Sequence, residues 1–399
     1  MDFRDSPNEA AFRKEAIAFL DAHAPETIGS YWSDDLTQEQ VFALHKAWQK
    51  TLYEHGWAAV TWPKALGGCG KGPIEAIIWN QELAKRGLSG SLFMVGIGMA
   101  GPTLIAHGSE AQKRRYLEPM LRAEEVWCQL FSEPGAGSDL AGLATRAVRD
   151  AATGDWVVNG QKTWCSGAGY GDFGILLART NPGVPKHRGI TYFVVDMKTP
   201  GIDVRPLVEM TGDAHFYEVF FSDVHLPDTA RVGEVDGGWS CAQTTLMNER
   251  MNMGGVEAML SFEALRDFVK QQAGEVGPLL REELMGVYCQ MRTLELLNAR
   301  VVTKLGRGQM PAAESSVMKL AIARLMSAAS DVAMRAMGPA ALLRPGYWQN
   351  QFLFSPAWHI AGGTDEVQKN VCAERVLGLP KEPGDSDHKT TNFEDLPRS

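Results

Sequence analysis

Glu249 is the residue whose chemistry the sequence makes most distinctive. It lies between Leu246 and Met253 on a stripe of apolar residues that recur at three- and four-residue spacing, as on one face of a helix. A carboxylate on an apolar face loses hydration, which raises its pKa and makes it a stronger general base. The adjacent Arg250 lies about 100° round the same helix, where it could meet a phosphate or a carbonyl. The alternative is that both charges are solvated at the surface.

A loop rich in glycine and serine, Leu130-Phe-Ser-Glu-Pro-Gly-Ala-Gly-Ser-Asp139, follows a short apolar stretch. Its glycines permit a ligand to approach the backbone closely. The hydroxyl groups of Ser132 and Ser138 can hydrogen-bond to a bound ring or phosphate. The alternative is an ordinary turn, because turns have the same Gly, Ser and Pro composition.

Trp164 and Ser166 stand two residues apart in the segment Gly160-Gln-Lys-Thr-Trp-Cys-Ser-Gly167, which follows a predicted strand that begins at Trp156. Side chains two residues apart on a strand point to the same face. The indole can therefore stack on a planar ring while the hydroxyl group donates to it. The alternative is a half-buried tryptophan beside a solvated serine.

Thr364 opens the last predicted helix, in the segment Ile360-Ala-Gly-Gly-Thr-Asp-Glu-Val-Gln-Lys-Asn370. Threonine is a favoured N-cap and helix N-termini attract anions, although a capped helix without a ligand has the same residues. Other chemistries lack their motifs, since there is no Gly-x-Gly-x-x-Gly after a strand, Gly-Lys-[Ser/Thr], His-Glu-x-x-His or Gly-x-Ser-x-Gly. None of the six cysteines forms a Cys-x-x-Cys pair or has a His at metal-ligand spacing, so we expect free thiols and no metal site.

Three zones of different hydrophobic period must position these segments. The period is helical in residues 1–125, close to two in residues 126–236, and helical again in residues 237–380. We therefore expect an α+β multidomain fold with an N-terminal helical domain, a middle antiparallel β-domain and a C-terminal helical bundle. The polar tail, residues 381–399, is expected to lack independent structure or to strap across a neighbour.

Charge and composition narrow the function. The 399 residues carry a net charge of −9 and no basic run, which argues against a nucleic-acid partner and against anionic membrane as the main target. The N-terminal segment Met1-Asp-Phe-Arg-Asp-Ser6 lacks the features of a signal peptide. The longest apolar run, residues 92–106, is too short to span a bilayer. These features predict a soluble, cytoplasmic enzyme.

The segments, taken in this order, resemble the acyl-CoA dehydrogenase family over roughly residues 5–380. The loop 130–142 is similar to the first signature of the family, and residues 160–164 and 363–368 are similar to its second and third landmarks. The resemblance implies FAD, bound between the β-domain and the C-terminal bundle, and α,β-dehydrogenation of an acyl-CoA thioester. It also implies a dimer or tetramer that passes electrons to an electron-transfer flavoprotein.

The resemblance also implies the residues of the site. Those implied around the FAD are Gln129, Phe131, Ser132, Gly137, Ser138, Trp164, Ser166, Thr364 and Glu366. Those implied near the acyl-CoA are Ser138, Arg250, Gly362 and Gly363.

The position of the base departs from the commonest family pattern. Many members carry the base immediately before the Gly-Thr of the third landmark, where this chain has Gly362, which has no side chain. A minority, including isovaleryl-CoA-type enzymes and bacterial branched, dicarboxyl and sterol-side-chain enzymes, keep the base in a Glu-Arg pair on the preceding helix. Glu249 and Arg250 resemble that pair, so we predict that Glu249 is the catalytic base.

A second departure concerns the partner. The Arg-x-x-Phe-Gly segment with which the family reaches a neighbouring FAD is missing around residues 272–277, and Arg335 replaces the usual Gln before a Gly-Gly. A heterotetramer with a second acyl-CoA dehydrogenase-like subunit therefore stays open beside a homo-oligomer, as do a non-catalytic subunit and an oxygen-using oxidase. The small residues Gly96 and Gly98 favour a medium, branched or cyclic acyl group over a very short one, unless they serve close helix packing.

Overall fold

The computed structural model describes residues 5–29, 36–88, 92–252, 260–309, 312–343, 346–381 and 390–396. The chain groups into two compact units. One contains Met1–Ser91 with Met253–Leu379, and the other contains Leu92–Asn252 with Pro380–Ser399. This grouping does not test the three predicted domain boundaries, which stay a prediction.

The N-terminal helices of the first unit begin at strong local signals. Ser6 accepts a hydrogen bond from the backbone of Glu9, whose carboxylate accepts one from the backbone of Ser6 in return. Thr37 and Gln40 form the same capping box one helix later, and such boxes satisfy the free N–H groups of a helix start. Residues 56–68, where Pro63 and the pair Gly67-Gly68 predict a break in the helical period, lie between the second helix and the third. The helices are α1 (Pro7–His23), α2 (Gln38–Glu54) and α3 (Pro73–Ala84).

The C-terminal helices of the same unit confirm the predicted helical bundle. A shared apolar core joins α7, α8 and α9, with Leu265, Val287 and Leu325 among its buried residues. A short π-helical turn, Cys372–Val376, continues the last helix. The helices are α7 (Phe262–Ala273), α8 (Pro278–Gly306), α9 (Ala312–Met337), α10 (Tyr347–Ile360) and α11 (Asp365–Val371).

In the described part of the second unit, some helices precede the strands in the sequence and one helix follows them. The apolar period over residues 239–269 predicts one continuous helix. That prediction is wrong, because Leu260 and Ser261 are not helical and Ser261 caps a separate helix that begins at Phe262. Residues 253–259 lie outside the described part. In the part of the chain that the structure describes, no helix is long and apolar enough to cross a membrane. Apart from short 3-10 turns, the described helical elements of this unit are the π-helical turn Met94–Ala100, α4 (Gly101–His107), α5 (Glu110–Leu121) and α6 (Gly238–Asn252).

The middle of the chain forms one mainly antiparallel sheet, which confirms the predicted β-domain. Its strand order is β6-β7-β3-β2-β4-β5-β8, and β1 adds to β4 in parallel. The strands are β1 (Trp127–Leu130), β2 (Arg146–Arg149), β3 (Trp156–Lys162), β4 (Phe173–Arg179), β5 (Ile190–Asp196), β6 (Ile202–Leu207), β7 (Phe216–Leu226) and β8 (Arg231–Val232).

Strand β3 carries the second landmark and has a bulge against β7 between Val158 and Gly160. A Cβ atom at Gly160 would lie 2.4 Å from Thr145 Oγ1 on the neighbouring chain segment, so only glycine permits this approach. The face that includes Trp156, Val158 and Lys162 is buried. Lys162, the last residue of β3, is therefore buried in the core of the β-domain.

Candidate active site

The loop that resembles the first family signature, residues 130–142 and here named the signature loop, turns directly after β1. Phe131 is buried, and the backbones of Glu133 and Ala136 hydrogen-bond to each other in both directions, at 3.1 and 3.0 Å. This tight turn projects the tip of the loop, and Gly137 and Ser138 are exposed. A Cβ atom placed at Gly137 would have no atom within 4 Å, so the space beside the tip is open. The open, glycine-containing tip is suited to a ligand that approaches the backbone.

A buried ion pair joins the signature loop to the second landmark. Lys162 is fully buried, and its ammonium group donates to the Glu133 carboxylate at 2.7 Å and to the Phe131 carbonyl at 2.9 Å. The same carboxylate accepts from the N–H groups of Ala144 and Thr145, at 2.7 and 2.9 Å. Burial raises the pKa of the Glu133 carboxyl, but the Lys162 ammonium and these donors outweigh burial, so the pKa lies below its usual value.

Sequence reasoning missed this pair, although the strand pattern contained a signal for it. Lys162 stands at an even spacing from Trp156 and Val158 on the inward face of β3. A lysine at an inward position of a strand is rarely buried without a partner. The partner lies 29 residues away in the chain, in the signature loop, and the sequence pattern does not identify it.

The prediction that Trp164 and Ser166 lie on a strand is wrong. Strand β3 ends at Lys162, and the Trp164 backbone has a φ of 57°, in the left-handed region. The chain is held on both sides of this residue, because the Thr163 N–H donates to the signature loop at 2.9 Å and the Cys165 N–H donates to β7 at 3.0 Å. The residue between these two anchors must turn, and the alternation of a strand is lost.

Trp164 nevertheless presents a planar surface. Its side chain is 59% exposed, and its ring meets the Phe216 ring edge-on at 5.8 Å. A non-glycine residue in the left-handed region costs free energy and persists where the surrounding structure enforces it, which is common at ligand sites. The exposed face of the indole is therefore a candidate stacking surface, and Ser166, which is half-buried, lies two residues beyond it.

Helix α6, which carries Glu249, is anchored through buried hydroxyl groups. Thr245 Oγ1 lies 2.8 Å from Thr103 Oγ1 on α4 and 3.1 Å from the Tyr192 hydroxyl on β5. The three side chains are fully buried, so these bonds are shielded from water. Burial also raises the pKa of Tyr192 well above its usual value, which keeps its hydroxyl neutral. The helix is thus fixed one turn before Glu249.

Glu249 itself is half-buried in α6. On the predicted stripe, Ala242 is fully buried and Leu246 is half-buried, while Met253 and the residues just after it lie outside the described part. The face of α6 that packs most deeply includes Thr245, four residues before Glu249 and thus on the same side of the helix. Glu249 therefore follows the anchored face, where its carboxylate is partly removed from water.

One tyrosine links the signature loop to the helix of the predicted base. The Phe131 ring meets the Tyr192 ring edge-on at 5.9 Å, and the Tyr192 hydroxyl bonds to Thr245. The described contacts therefore run from the loop through Tyr192 to α6 within a single compact unit. This arrangement holds a carboxylate-bearing helix in fixed relation to a loop that is open to a ligand.

The third landmark lies in the other unit. Thr364 accepts a hydrogen bond from the backbone of Val367 at 3.2 Å, which confirms the predicted N-cap. Gly362 and Gly363 have φ values of 66° and 90°, and the Gly362 carbonyl accepts from Gln368 at 2.9 Å. The turn before α11 therefore requires glycines, and the side chain of Glu366 that follows it is exposed.

A charged network holds both sides of this turn. Lys319 on α9 donates to the His359 carbonyl at 3.0 Å and to the Asp365 carboxylate at 2.9 Å. His359 Nδ1 lies 2.8 Å from the same carboxylate, and its Nε2 lies 3.0 Å from Ser327 Oγ. Burial raises the pKa of Asp365, but His359 and Lys319 outweigh it, so the pKa lies below its usual value. The network ties the last turn of α10 and the first turn of α11 to α9.

The structure brings several predicted site residues into one unit. That unit is the second one. Within the described residues, no cluster of three or more His, Cys, Asp or Glu side chains is arranged to hold a metal. The Arg250 side chain lies outside the described part. The predicted residues in this unit are Gln129, Phe131, Ser132, Gly137, Ser138, Trp164, Ser166 and Glu249.

Family models match most of the chain in three successive pieces. The model described as "Acyl-CoA dehydrogenase, N-terminal domain" matches residues 6–124. The models for the middle and C-terminal domains of acyl-CoA dehydrogenase match residues 128–224 and 236–377.

Named relatives give the same result. Acyl-CoA dehydrogenase FadE34 of Mycobacterium tuberculosis is 41% identical over 342 residues, which is 84% of this chain and 46% of that protein. The chain thus spans about half the length of FadE34. Acyl-CoA dehydrogenase IpdE1 of Mycobacterium tuberculosis is 35% identical over 353 residues, which is 86% of this chain and 90% of that protein.

Two solved structures resemble the chain over nearly its whole length. The structure of the "Tcur3481-Tcur3483 steroid ACAD" has a TM-score of 0.81 at 26% identity and covers 96% of this chain and 100% of that one. The ChsE4-ChsE5 complex from Mycobacterium tuberculosis has a TM-score of 0.79 at 29% identity, with the same coverage of both chains.

Proposed function

Because the chain belongs to the acyl-CoA dehydrogenase family, we propose that it dehydrogenates a bulky acyl-CoA thioester, with FAD bound and Glu249 as the base. The members of this family are flavin-dependent oxidoreductases, and the chain is an acyl-CoA dehydrogenase by its membership of the family. The observation that carries the proposal is the link from the signature loop through Tyr192 to the helix of Glu249. That link fixes the helix of the proposed base relative to the loop.

The residues of the second unit fit a planar cofactor with phosphates. The exposed, strained Trp164 offers a stacking face, and the open tip at Gly137 offers backbone to an anionic group. We propose that Gln129, Phe131, Ser132, Trp164 and Ser166 contact the FAD ring and that Gly137 and Ser138 lie near its phosphates or the CoA chain. Bound FAD would supply the acceptor for the hydride that leaves the β-carbon. Thr364 and Glu366 stay proposed FAD contacts.

Glu249 would take the α-proton onto a carboxylate oxygen. Its half-buried position on an anchored helix limits the hydration of the carboxylate. The Gly362 position has no side chain, and its carbonyl is already bonded to Gln368, so only the backbone N–H groups of Gly362 and Gly363 are proposed to meet the thioester oxygen. Arg250 is proposed to meet a phosphate or carbonyl of the substrate.

The proposed substrate carries a branched or cyclic acyl group, such as one derived from a steroid. One of the two similar structures is named as a steroid ACAD. The small residues near the predicted acyl path give less support, because a Cβ atom at Gly96 would lie 3.1 Å from Met120 and 3.3 Å from Trp127. At Gly96 the absence of a side chain therefore serves close packing.

Replacement of Glu249 by Gln tests the base directly. General-base catalysis contributes about 10²- to 10⁴-fold, so the rate of flavin bleaching by an accepted acyl-CoA should fall at least a hundredfold in E249Q. Glu249→Asp should retain part of the rate, because it keeps a carboxylate on a shorter side chain. Glu39→Gln, an exposed carboxylate on α2, is the matched control and should reduce flavin at the wild-type rate. Unimpaired bleaching in E249Q would remove Glu249 from the reaction.

A second candidate function is a subunit of a heteromeric acyl-CoA dehydrogenase. Both similar structures are named for two proteins, Tcur3481 with Tcur3483 and ChsE4 with ChsE5. Arg335, which stands where the family usually has Gln, makes an ion pair with Glu283. We propose to purify the chain alone and to measure its mass in solution and its FAD content. One FAD per chain with full activity would contradict a dependent subunit, whereas little FAD that rises on addition of a second acyl-CoA dehydrogenase-like chain would support it.

The electron acceptor is a separate part of the proposal. We propose that an electron-transfer flavoprotein accepts the electrons, as the family resemblance implies. Side-by-side assays of oxygen consumption and of dye or electron-transfer flavoprotein reduction distinguish a dehydrogenase from an oxidase. Oxygen consumption equal to acyl-CoA turnover would contradict the dehydrogenase assignment.

A further inference from the structure

The C-terminal segment 390–396, here named the strap, lies on the connection between β4 and β5. The Phe393 N–H donates to the Val184 carbonyl at 2.9 Å, and the Glu394 N–H donates to the Pro182 carbonyl at 3.1 Å. An isolated antiparallel bridge also pairs the strap with Pro185. Main-chain hydrogen bonds at successive residues fix the register of the strap on this connection, so the position of the Phe393 side chain is fixed as well.

That side chain covers a buried cation. The Arg179 guanidinium lies 3.9 Å from the centre of the Phe393 ring. Arg179, the last residue of β4, is 4% exposed, and burial lowers its pKa to about 10. An aromatic face attracts a cation most strongly where water is excluded, so the ring replaces part of the hydration that Arg179 loses. The strap therefore makes it less costly to keep Arg179 buried and charged.

Arg179 in turn holds the end of the signature loop. Its guanidinium donates to the carbonyls of Ala141 at 2.6 Å, Leu143 at 3.2 Å and Lys186 at 2.6 Å. The Lys186 ammonium pairs with the Asp139 carboxylate at 2.8 Å. The segment 139–143 is therefore held at its start by Lys186 and at its end by Arg179.

We propose that the strap is a positioning element for the signature loop. Phe393 keeps Arg179 covered and oriented, and Arg179 keeps segment 139–143 in place directly after Gly137 and Ser138. Arg179 is a positioning residue in this scheme, since it acts on the loop through the carbonyls of Ala141 and Leu143. The further consequence, that the C-terminal strap sets the affinity for FAD, rests on the proposed function, which assigns Gly137 and Ser138 to the phosphates.

Hydrogen exchange tests the strap without any assay of activity. The full-length Phe393→Ala variant should exchange the backbone amides of segment 139–143 roughly tenfold faster than the wild type, because the aromatic cover of a desolvated cation is lost. Asp395→Ala, which changes an exposed side chain of the same strap, is the matched control and should exchange at the wild-type rate. Phe393→Leu keeps an apolar cover without the aromatic face and should lie between the two, so it tests the proposal even where the alanine variant fails to fold.

Titration of the apoprotein with FAD then separates the two proposals. Weaker FAD binding in Phe393→Ala, with unchanged binding in Asp395→Ala, would support both. Unchanged exchange of segment 139–143 in both Phe393 variants would overturn the strap. Faster exchange with unchanged FAD affinity would confirm that the strap holds the segment and would contradict the placement of FAD phosphates at Gly137 and Ser138.

Discussion

Replacing Lys162 by Met should strongly destabilise the protein, because it leaves Glu133 as an unpaired buried carboxylate. Lys162 is fully buried and donates to Glu133 at 2.7 Å and to the Phe131 carbonyl at 2.9 Å. Methionine matches the length of the lysine stem but offers neither hydrogen bond. Removing one partner of a buried ion pair costs about 3–5 kcal/mol. Since native proteins are stable by about 5–15 kcal/mol, this is a large part of the whole.

The effect should depend on pH in a definite direction. In the wild type the folded-state pKa of Glu133 is depressed, so its contribution to stability is present above the unfolded pKa and is lost as pH falls through the folded pKa. In K162M the ammonium is gone and burial favours the protonated acid, so the pKa of Glu133 should rise above its usual value. The stability gap between wild type and variant should therefore be largest near neutral pH and should shrink as pH falls toward about 4.5.

Urea unfolding followed by tryptophan fluorescence at several pH values measures this gap. Lys198→Met removes the ammonium of an exposed ion pair with Asp172 and is the control, for which the unfolding curve should not move. A loss smaller than about 1 kcal/mol in K162M at neutral pH would refute the reasoning, since that is the range of an ordinary surface change. A gap that widened as pH fell would refute the assignment of Glu133 as the unpaired charge.

Three further outcomes are expected. Thr245→Val should lower the free energy of unfolding by about 1–3 kcal/mol in urea titrations, because the buried hydroxyl groups of Thr103 and Tyr192 lose their shared partner. Thr245→Ser should restore most of this free energy, and equal stability of the valine and serine variants would contradict the reasoning. Trp164→Gly should leave the free energy of unfolding unchanged or higher, because glycine adopts a φ of 57° without strain. The same variant should bind FAD more weakly in equilibrium titration, and unchanged FAD affinity would contradict the stacking role. Cys289 is exposed, whereas burial raises the pKa of Cys165 to about 12, so a thiol reagent should label Cys289 first in the native protein and Cys165 only after unfolding, as read by peptide mass spectrometry.

Much of the fold follows from local patterns. The shift of hydrophobic period predicted the helical, β and helical zones, and Thr364 was identified as an N-cap because capping depends on residues within one turn. The break in the helix predicted over residues 239–269 was missed because the apolar period was followed through two stop signals. Gly254 and Gly255 lie in this stretch of the sequence, and Ser261 is a favoured N-cap for the next helix. Individual strands are harder to locate from the sequence where both faces are exposed: β2 and β6 have largely exposed side chains and therefore alternate weakly.

The sequence by itself determined the family landmarks and the order of the zones, and it predicts Glu249 rather than Gly362 as the base, because each of these depends on residue types and short spacings. Only the tertiary structure decided three further features: the Lys162–Glu133 pair, the left-handed turn at Trp164 and the cover of Arg179 by Phe393. Each of the two pairings joins residues 29 or more positions apart in the chain, and the turn depends on anchors in the signature loop and β7. Such contacts arise from packing between elements, which local periodicity and capping do not encode.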